Sequence, residues 1–137
     1  MPTASYTKVA PSVENLLEGI NAGSDTWAIA LASSAPAAAA FVAGTTDLAT
    51  GGGYTQGGNS AAVSSSAASA GVFKLVLADP AVWTASGGGF TFRYAILVNS
   101  TNNISVGYWD YGSDLTLASG ETLTIDFDGS AGVLTIA

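Results

Sequence analysis

In the second half of the chain, large apolar residues recur at every second position. That period of two marks strands with one face buried. In Val72–Ala78, Phe73, Leu75 and Leu77 fall on one side and Lys74 on the other. Phe90–Val98 is the clearest case: Phe90, Phe92, Tyr94, Ile96 and Val98 share a face, opposite Thr91, Arg93, Ala95 and Leu97. Ile104–Tyr111 sets Val106 and Tyr108 against Trp109 and Tyr111. Glu121–Asp128 turns Leu123, Ile125 and Phe127 inward and Thr122, Thr124, Asp126 and Asp128 outward. Pro80–Thr84, with Val82 and Trp83, and Gly132–Ile136 read as shorter strands.

The first half is less uniform. Trp27–Ser33 alternates Trp27, Ile29 and Leu31 with alanines and predicts a buried strand. Pro11–Gly19 predicts one short helix, with Ser12 as its N-cap, Val13, Leu16, Leu17 and Ile20 on one face, and Gly19 as its stop. Glu14 lies in the first turn, where the helix dipole favours an acid. Ser34–Ser69 is rich in Ala, Gly, Ser and Thr and reads as an excursion on one side of the core. Residues 1–10 show no period and read as an arm. The expected fold is mainly β: a single-domain antiparallel β-sandwich or barrel over residues 11–137, with one short N-terminal helix.

Composition narrows the chemistry. The 137 residues suit one domain. Only 9% are charged, against about 25% in an average globular chain. Ten acids face three bases, for a net charge of −7, which argues against nucleic acid and against an anionic membrane surface as partners. A chain so poor in charge suits a surface covered by neighbours. Cys and His are both absent, so thiol nucleophiles, disulfides, zinc fingers and Ser-His-Asp triads are excluded within this sequence. The first ten residues lack a basic stretch followed by an apolar one, so no signal peptide is expected.

The remaining motifs favour structure over catalysis. Gly51–Gly53 and Gly87–Gly89 lack the lysine of a phosphate loop and read as turns. Asp126-Phe127-Asp128-Gly129-Ser130 has no later acid to complete a calcium loop. Asp110 and Asp114 flank a strand–turn junction, where aspartate serves local hydrogen bonding more often than glycosidase chemistry. Arg93, the single arginine, must pair or snorkel; it is expected to bridge to an acid such as Asp110 or Asp126, with an intersubunit pair as the functional alternative. Trp83, Trp109 and Tyr111 could form a stacking platform for sugars if exposed, but core packing is the favoured reading. The sequons at Asn99 and Asn103 carry meaning only in a secreted chain. No cofactor, metal site or enzymatic activity is expected.

Several segments, taken in order, resemble a family of small virion structural proteins of tailed bacteriophages. They are LLEGINAGSDTWAIALASS (Leu16–Ser34), GGGYTQGGNS (Gly51–Ser60), VWTASGGGFTFRYAILVNST (Val82–Thr101), VGYWDYGSD (Val106–Asp114) and GETLTIDFDGSAGVLTIA (Gly120–Ala137). The most specific pieces are Gly53-Tyr54-Thr55 before Gly57-Gly58, the Phe92-Arg93-Tyr94-Ala95 strand, and Gly107-Tyr108 leading to Gly112-Ser113-Asp114. This chain is poorer in charge than that pattern, and its middle is richer in alanine and serine.

The resemblance implies a capsid decoration, or cement, protein with no catalytic residues. Its implied partners are the major capsid protein and further copies of itself, a trimer being one arrangement. Its implied place is the outer capsid surface, after synthesis in the host cytoplasm. Alternatives are a tail, neck or baseplate component, or a carbohydrate- or receptor-binding module. The expected subunit contacts are Tyr6, Lys8 and Val9 in the arm, together with Arg93.

Overall fold

Trp27–Ala32 (β2) is buried at all six positions and anchors the larger of two antiparallel sheets. The computed structural model describes residues 3–137. In chain order the other strands are β1 (Ser5–Lys8), β3 (Asn59–Ala61), β4 (Val63–Ser69), β5 (Val72–Leu77), β6 (Trp83–Thr84), β7 (Phe90–Asn99), β8 (Ile104–Leu117), β9 (Thr122–Leu123) and β10 (Leu134–Ile136). The larger sheet runs β1-β8-β7-β2-β3, the smaller β10-β5-β4, and β6 pairs with β9 as a ribbon. Every pairing is antiparallel. The fold is a mainly β, single-domain sandwich with one short helix, as the alternation predicts.

The main core lies between the sheets. Trp27, Ile29 and Leu31 of β2, Phe92, Ala95 and Leu97 of β7, and Leu75 and Leu77 of β5 fill it, closed at one end by Trp83, Leu123 and Ile125. A second, smaller cluster covers the opposite face of the large sheet. There Phe41 packs on Ala28, Ala30 and Ala32 of β2 and on Ile96 and Val98 of β7. The Ala-rich excursion is therefore a cover on the outer face of that sheet, and the alanines of β2 give it a shallow bed.

Two irregularities change the faces expected from simple alternation. The β7–β8 register passes from Phe92↔Leu115 to Tyr94↔Asp110, so Arg93 and Tyr111–Asp114 are left out of the ladder. A bulge that shifts the phase by one residue exchanges the two faces. Phe90 and Phe92 face the main core, but Tyr94, Ile96 and Val98 face the outer cluster, and Ala95 and Leu97 take over inside. A second shift, between Leu97↔Gly107 and Val98↔Ser105, leaves Val106 unpaired. Val106 thus joins Trp109 and Tyr111 on the core side, and Tyr108 alone faces outward.

The N-terminal segment also differs from the expected arm. Ser5–Lys8 pairs with β8, from Ser5↔Asp110 to Lys8↔Gly107, and is an edge strand of the chain's own sheet. Met1 and Pro2, the rest of that arm's tip, lie outside the described residues. Four residues are too few to show a period. What fixes them is the backbone ladder and one side chain: Tyr6 lies over the Cα of Gly107, where a Cβ would collide with the phenol, with its ring centroid 5.1 Å from that of Trp109.

The helix is shorter than expected. A 3₁₀ turn (Ala10–Ser12), started by Pro11, leads into α1 (Val13–Glu18). Ser12 stands at the N-cap position of α1, as expected, but its hydroxyl makes no capping bond; buried, it donates to the Ser105 carbonyl at 2.6 Å and ties the helix to β8. Leu16 and Ile20 pack on the core, whereas Val13 is 41% and Leu17 81% exposed. β4 was part of the expected excursion. It joins β5 through a two-residue turn at Ala70 (φ 52°) and Gly71 (φ 81°), the geometry that suits a tight hairpin. Glu121–Asp128 keeps its alternation, with Leu123 and Ile125 buried, but only Thr122–Leu123 joins a ladder. The Phe127 N–H instead donates to the Asp79 carboxylate at 2.8 Å.

Candidate functional site

Arg93 sits at the larger bulge and is satisfied within the chain. Its Nε and Nη2 donate to the two oxygens of Asp110 at 2.8 and 3.0 Å. The two-pronged geometry of a guanidinium on a carboxylate explains the choice of arginine over lysine. The guanidinium carbon lies 5.2 Å from the centre of the Tyr94 ring. The Arg93 hydrogen bond, followed by the Gly112 N–H at 2.7 Å, holds the Asp110 carboxyl below the usual carboxylate range. The same bond raises the Arg93 pKa. Of the two acids expected for Arg93, the structure selects Asp110.

The other expected contact residues separate. Lys8 is exposed on edge strand β1. Val9 is buried at 2% exposure, its N–H bonded to the Val106 carbonyl at 3.0 Å, and so presents no surface to a neighbour. Tyr6 is partly buried between β8 and the β10 end of the sandwich. Burial pushes its phenol up to about 12, because the phenolate would lose its hydration.

Of the surface grooves, two bear on function. The first holds about 440 Å³ between β8 and the Thr124–Phe127 segment. It is lined by the buried Ala95 and Ile125, by the rings of Trp109, Tyr111 and Phe127, by Thr124 and Asp126, and by Thr3 and Ala4 of the N-terminal segment. Trp109 is half-buried, with the Phe127 ring 5.8 Å away at 38°. Tyr111 makes an edge contact with Phe92 at 5.6 Å. Trp83, the third aromatic of the expected platform, is 3% exposed and belongs to the core. The second groove holds about 340 Å³ at the open end of the sandwich. Leu16 of α1 and Ile20, just beyond its end, face Ser66, Phe73, Leu134 and Ile136 of the small sheet across it. Leu17 stands beside it on α1, flanked by Glu14 and Glu18.

A buried carboxylate escaped the sequence reading. Asp47 is 6% exposed and accepts from the Gly44 N–H (2.6 Å), the Gly57 N–H (2.6 Å) and the Tyr54 hydroxyl (2.5 Å). Tyr54 Oη in turn accepts from the Leu31 N–H at 3.0 Å, so the cover loop is tied to β2. Burial, then the bond to Asp47, raises the Tyr54 pKa far above its ordinary value. The available signal is a lone acid in the otherwise uncharged stretch between Asp25 and Lys74, beside a glycine-rich segment. The two glycine triplets are structural, as expected. They touch: the Ser86 N–H donates to the Gly52 carbonyl at 2.9 Å, and a Cβ on Gly52 would collide with the Gly89 carbonyl.

Among the described residues no group of three or more His, Cys, Asp or Glu side chains is placed to hold a metal ion. Asp128 instead accepts from the Ser130 N–H at 2.8 Å, closing a turn. Among the described residues, no helix is long and apolar enough to cross a membrane. Comparison with known proteins gives no relative: no family model matches the chain, no curated protein matches it, and no solved structure matches it.

Proposed function

We propose that this protein is a structural component of a tailed-bacteriophage particle, and specifically a capsid decoration protein that bridges major capsid subunits. The observation that carries the reading is the open end of the sandwich. Leu17 is 81% exposed and Val13 41% on α1, and Ile136, 41% exposed, lines a groove in which Leu16, Ile20, Phe73 and Leu134 are joined by Asn21 and Ser66. Strand β4 ends the small sheet beside this rim, and over seven residues it has no charge and no proline. Free-standing β proteins guard such edges with lysine, proline or bulges; β4 has one register shift at its start, between Val63 and Ser65, and runs in unbroken register from Ser65 to Ser69. A rim and edge left open in this way suit a surface that a neighbour covers. The resemblance of several segments to small phage virion proteins is in keeping with the same reading.

A cement protein works by adding contacts that must break before the shell can rupture. Its single interface can be modest, because many copies act together on a symmetric shell. A close-packed core passes strain across the unit with little compression. The net charge of −7 suits an outward layer that leaves the packaged genome alone.

The test is a side-chain-resolution density map of whole particles, with copy number measured by quantitative mass spectrometry. Hundreds of copies on the shell, with the Leu17 rim buried against the capsid protein, are expected. A ring of about a dozen copies or fewer at the neck or tail would replace decoration with the tail reading. Absence of the chain from mature particles would overturn the proposal.

A further inference from the structure

We infer that the groove between β8 and the Thr124–Phe127 segment binds a neutral oligosaccharide, with sugar rings stacked along its aromatic side chains. This inference stands apart from the virion reading, since it uses none of the rim residues.

The space is built by one small residue. Ala95 lies on the core face between Phe92 and Leu97 and pairs with Trp109 across the ladder. A leucine or phenylalanine there would fill the volume that Ala95 leaves open. The result is a cavity of about 440 Å³, within the range of small-molecule sites. Its lining is divided by chemistry. Trp109, Tyr111 and Phe127 offer flat apolar surface. The rim carries the Thr124 hydroxyl and the Asp126 carboxylate, which takes no hydrogen bond from any described residue. No Lys or Arg lines it.

That division selects the ligand. The acid repels anions, so phosphates and acidic sugars are excluded. The rings favour a flat face of C–H groups, and the rim accepts hydrogen bonds from hydroxyls at the edge of such a face. A pyranose ring has both: an apolar face and an equatorial belt of donors. A quaternary ammonium would satisfy the rings and the acid through cation–π attraction, but it needs rings closing around one point. Here the rings form a row instead. Within the groove Trp109 lies 5.8 Å from Phe127, tilted 38°, and Tyr111 follows Trp109 two residues along β8; Tyr6, 5.1 Å from Trp109, lies outside the lining. A row suits a linear chain of rings more than a single cation.

The fluorescence of the protein reports this site. Trp27 and Trp83 are 1% and 3% exposed, while Trp109 lines the groove, so a bound sugar alters the emission of Trp109 alone. Purified protein is titrated with cello-, chito-, xylo- and malto-oligosaccharides, with choline chloride and inorganic phosphate as controls. At least one neutral oligosaccharide is expected to shift the emission saturably with a Kd of about 1 mM or tighter. Asp126→Ala, on the exposed rim, is expected to weaken that binding about tenfold. Trp109→Ala, followed by calorimetry and checked for folding by circular dichroism, is expected to abolish it. Ala95→Leu is a second variant that blocks the cavity without touching a polar group. The inference is overturned if no sugar binds at about 10 mM, if choline is the only ligand, or if binding survives both Trp109→Ala and Ala95→Leu.

Discussion

Strands β2 and β4 have nearly the same length and opposite construction. Every residue of β2 (WAIALA) is buried, while β4 (VSSSAAS) is exposed at six of its seven positions. β2 is held by side chains on both faces, with Trp27, Ile29 and Leu31 in one core and its alanines in the other. β4 is held by its backbone ladder to β5 and the tight turn at Ala70–Gly71. The molecule thus joins a packed centre, which sets stability, to a lightly dressed edge that leaves backbone groups free for a neighbour. Substitutions should respond to this division, and the largest effects should fall at the centre.

Trp27→Ala should cost about 3–5 kcal/mol, since it removes a fully buried ring and its hydrogen bond to the Ala22 carbonyl. That is a large part of the stability of a domain this size, and urea unfolding should show a much lower midpoint or no native baseline. Ser65→Ala in β4 should stay within about 0.5 kcal/mol of the wild type. Equal losses at the two sites would erase the contrast.

Between these extremes lies the cover loop on the outer face. Asp47→Ala strands two backbone N–H groups and the Tyr54 hydroxyl, and should cost about 3 kcal/mol. Tyr54→Phe keeps the carboxylate and its backbone donors but strands the buried Leu31 N–H, and should cost about 2 kcal/mol. Amide exchange should quicken across Phe41–Gly58 in the first variant while β2 stays protected. Uniform quickening would mean that the cover and the centre open as one unit.

What the sequence makes legible follows the same line. β2, β5 and the Leu123–Ile125 segment are readable because a buried face imposes a period of two on bulky residues. β7 is readable as a strand, but its faces are not. The bulge at Arg93 arises from the four residues Tyr111–Asp114 on the partner strand, which no pattern within Phe90–Val98 reveals. β1 and β4 are silent because a ladder is made of backbone, and Ser, Ala and Thr fit a strand as readily as a loop. Charge scarcity alone narrows the partner of Arg93 to an acid such as Asp110 or Asp126, and the bulge decides for Asp110. Asp47 could not be singled out, because its three donors come from a loop whose path the side chains do not encode. The aromatic groove was half visible: Trp109 and Tyr111 were candidates, but the small residue that opens the space, Ala95, lies on another strand.

The edge where β1 meets β8 should lose stability at alkaline pH. The folded state raises the Tyr6 phenol from the ordinary value of 10.0 to about 12. Its contribution is complete below pH 10, where both states keep the proton. It falls as pH rises from 10 through 12, where the unfolded chain ionises first. Tyr6→Phe should flatten that part of the stability curve. An unchanged slope would assign the alkaline loss to tyrosines outside the β1–β8 contact.

The smallest effect belongs to the pair at the bulge. Arg93 and Asp110 are each about one-third exposed, so water and salt screen them, and Asp110→Asn should change stability little at neutral pH. Its signature is in acid. Because the folded Asp110 carboxyl ionises below its ordinary value, the bridge contributes fully above the unfolded carboxylate pKa of about 3.9. The contribution disappears as pH falls through the lower folded value. Wild-type protein should therefore lose stability more steeply than Asp110→Asn below about pH 4, and added salt should narrow the difference. If the two curves run parallel, the bidentate bridge is only a geometric consequence of the bulge. If they diverge, the bridge helps hold the register shift that moves Tyr94 to the outer face and Ala95 into the lining of the groove.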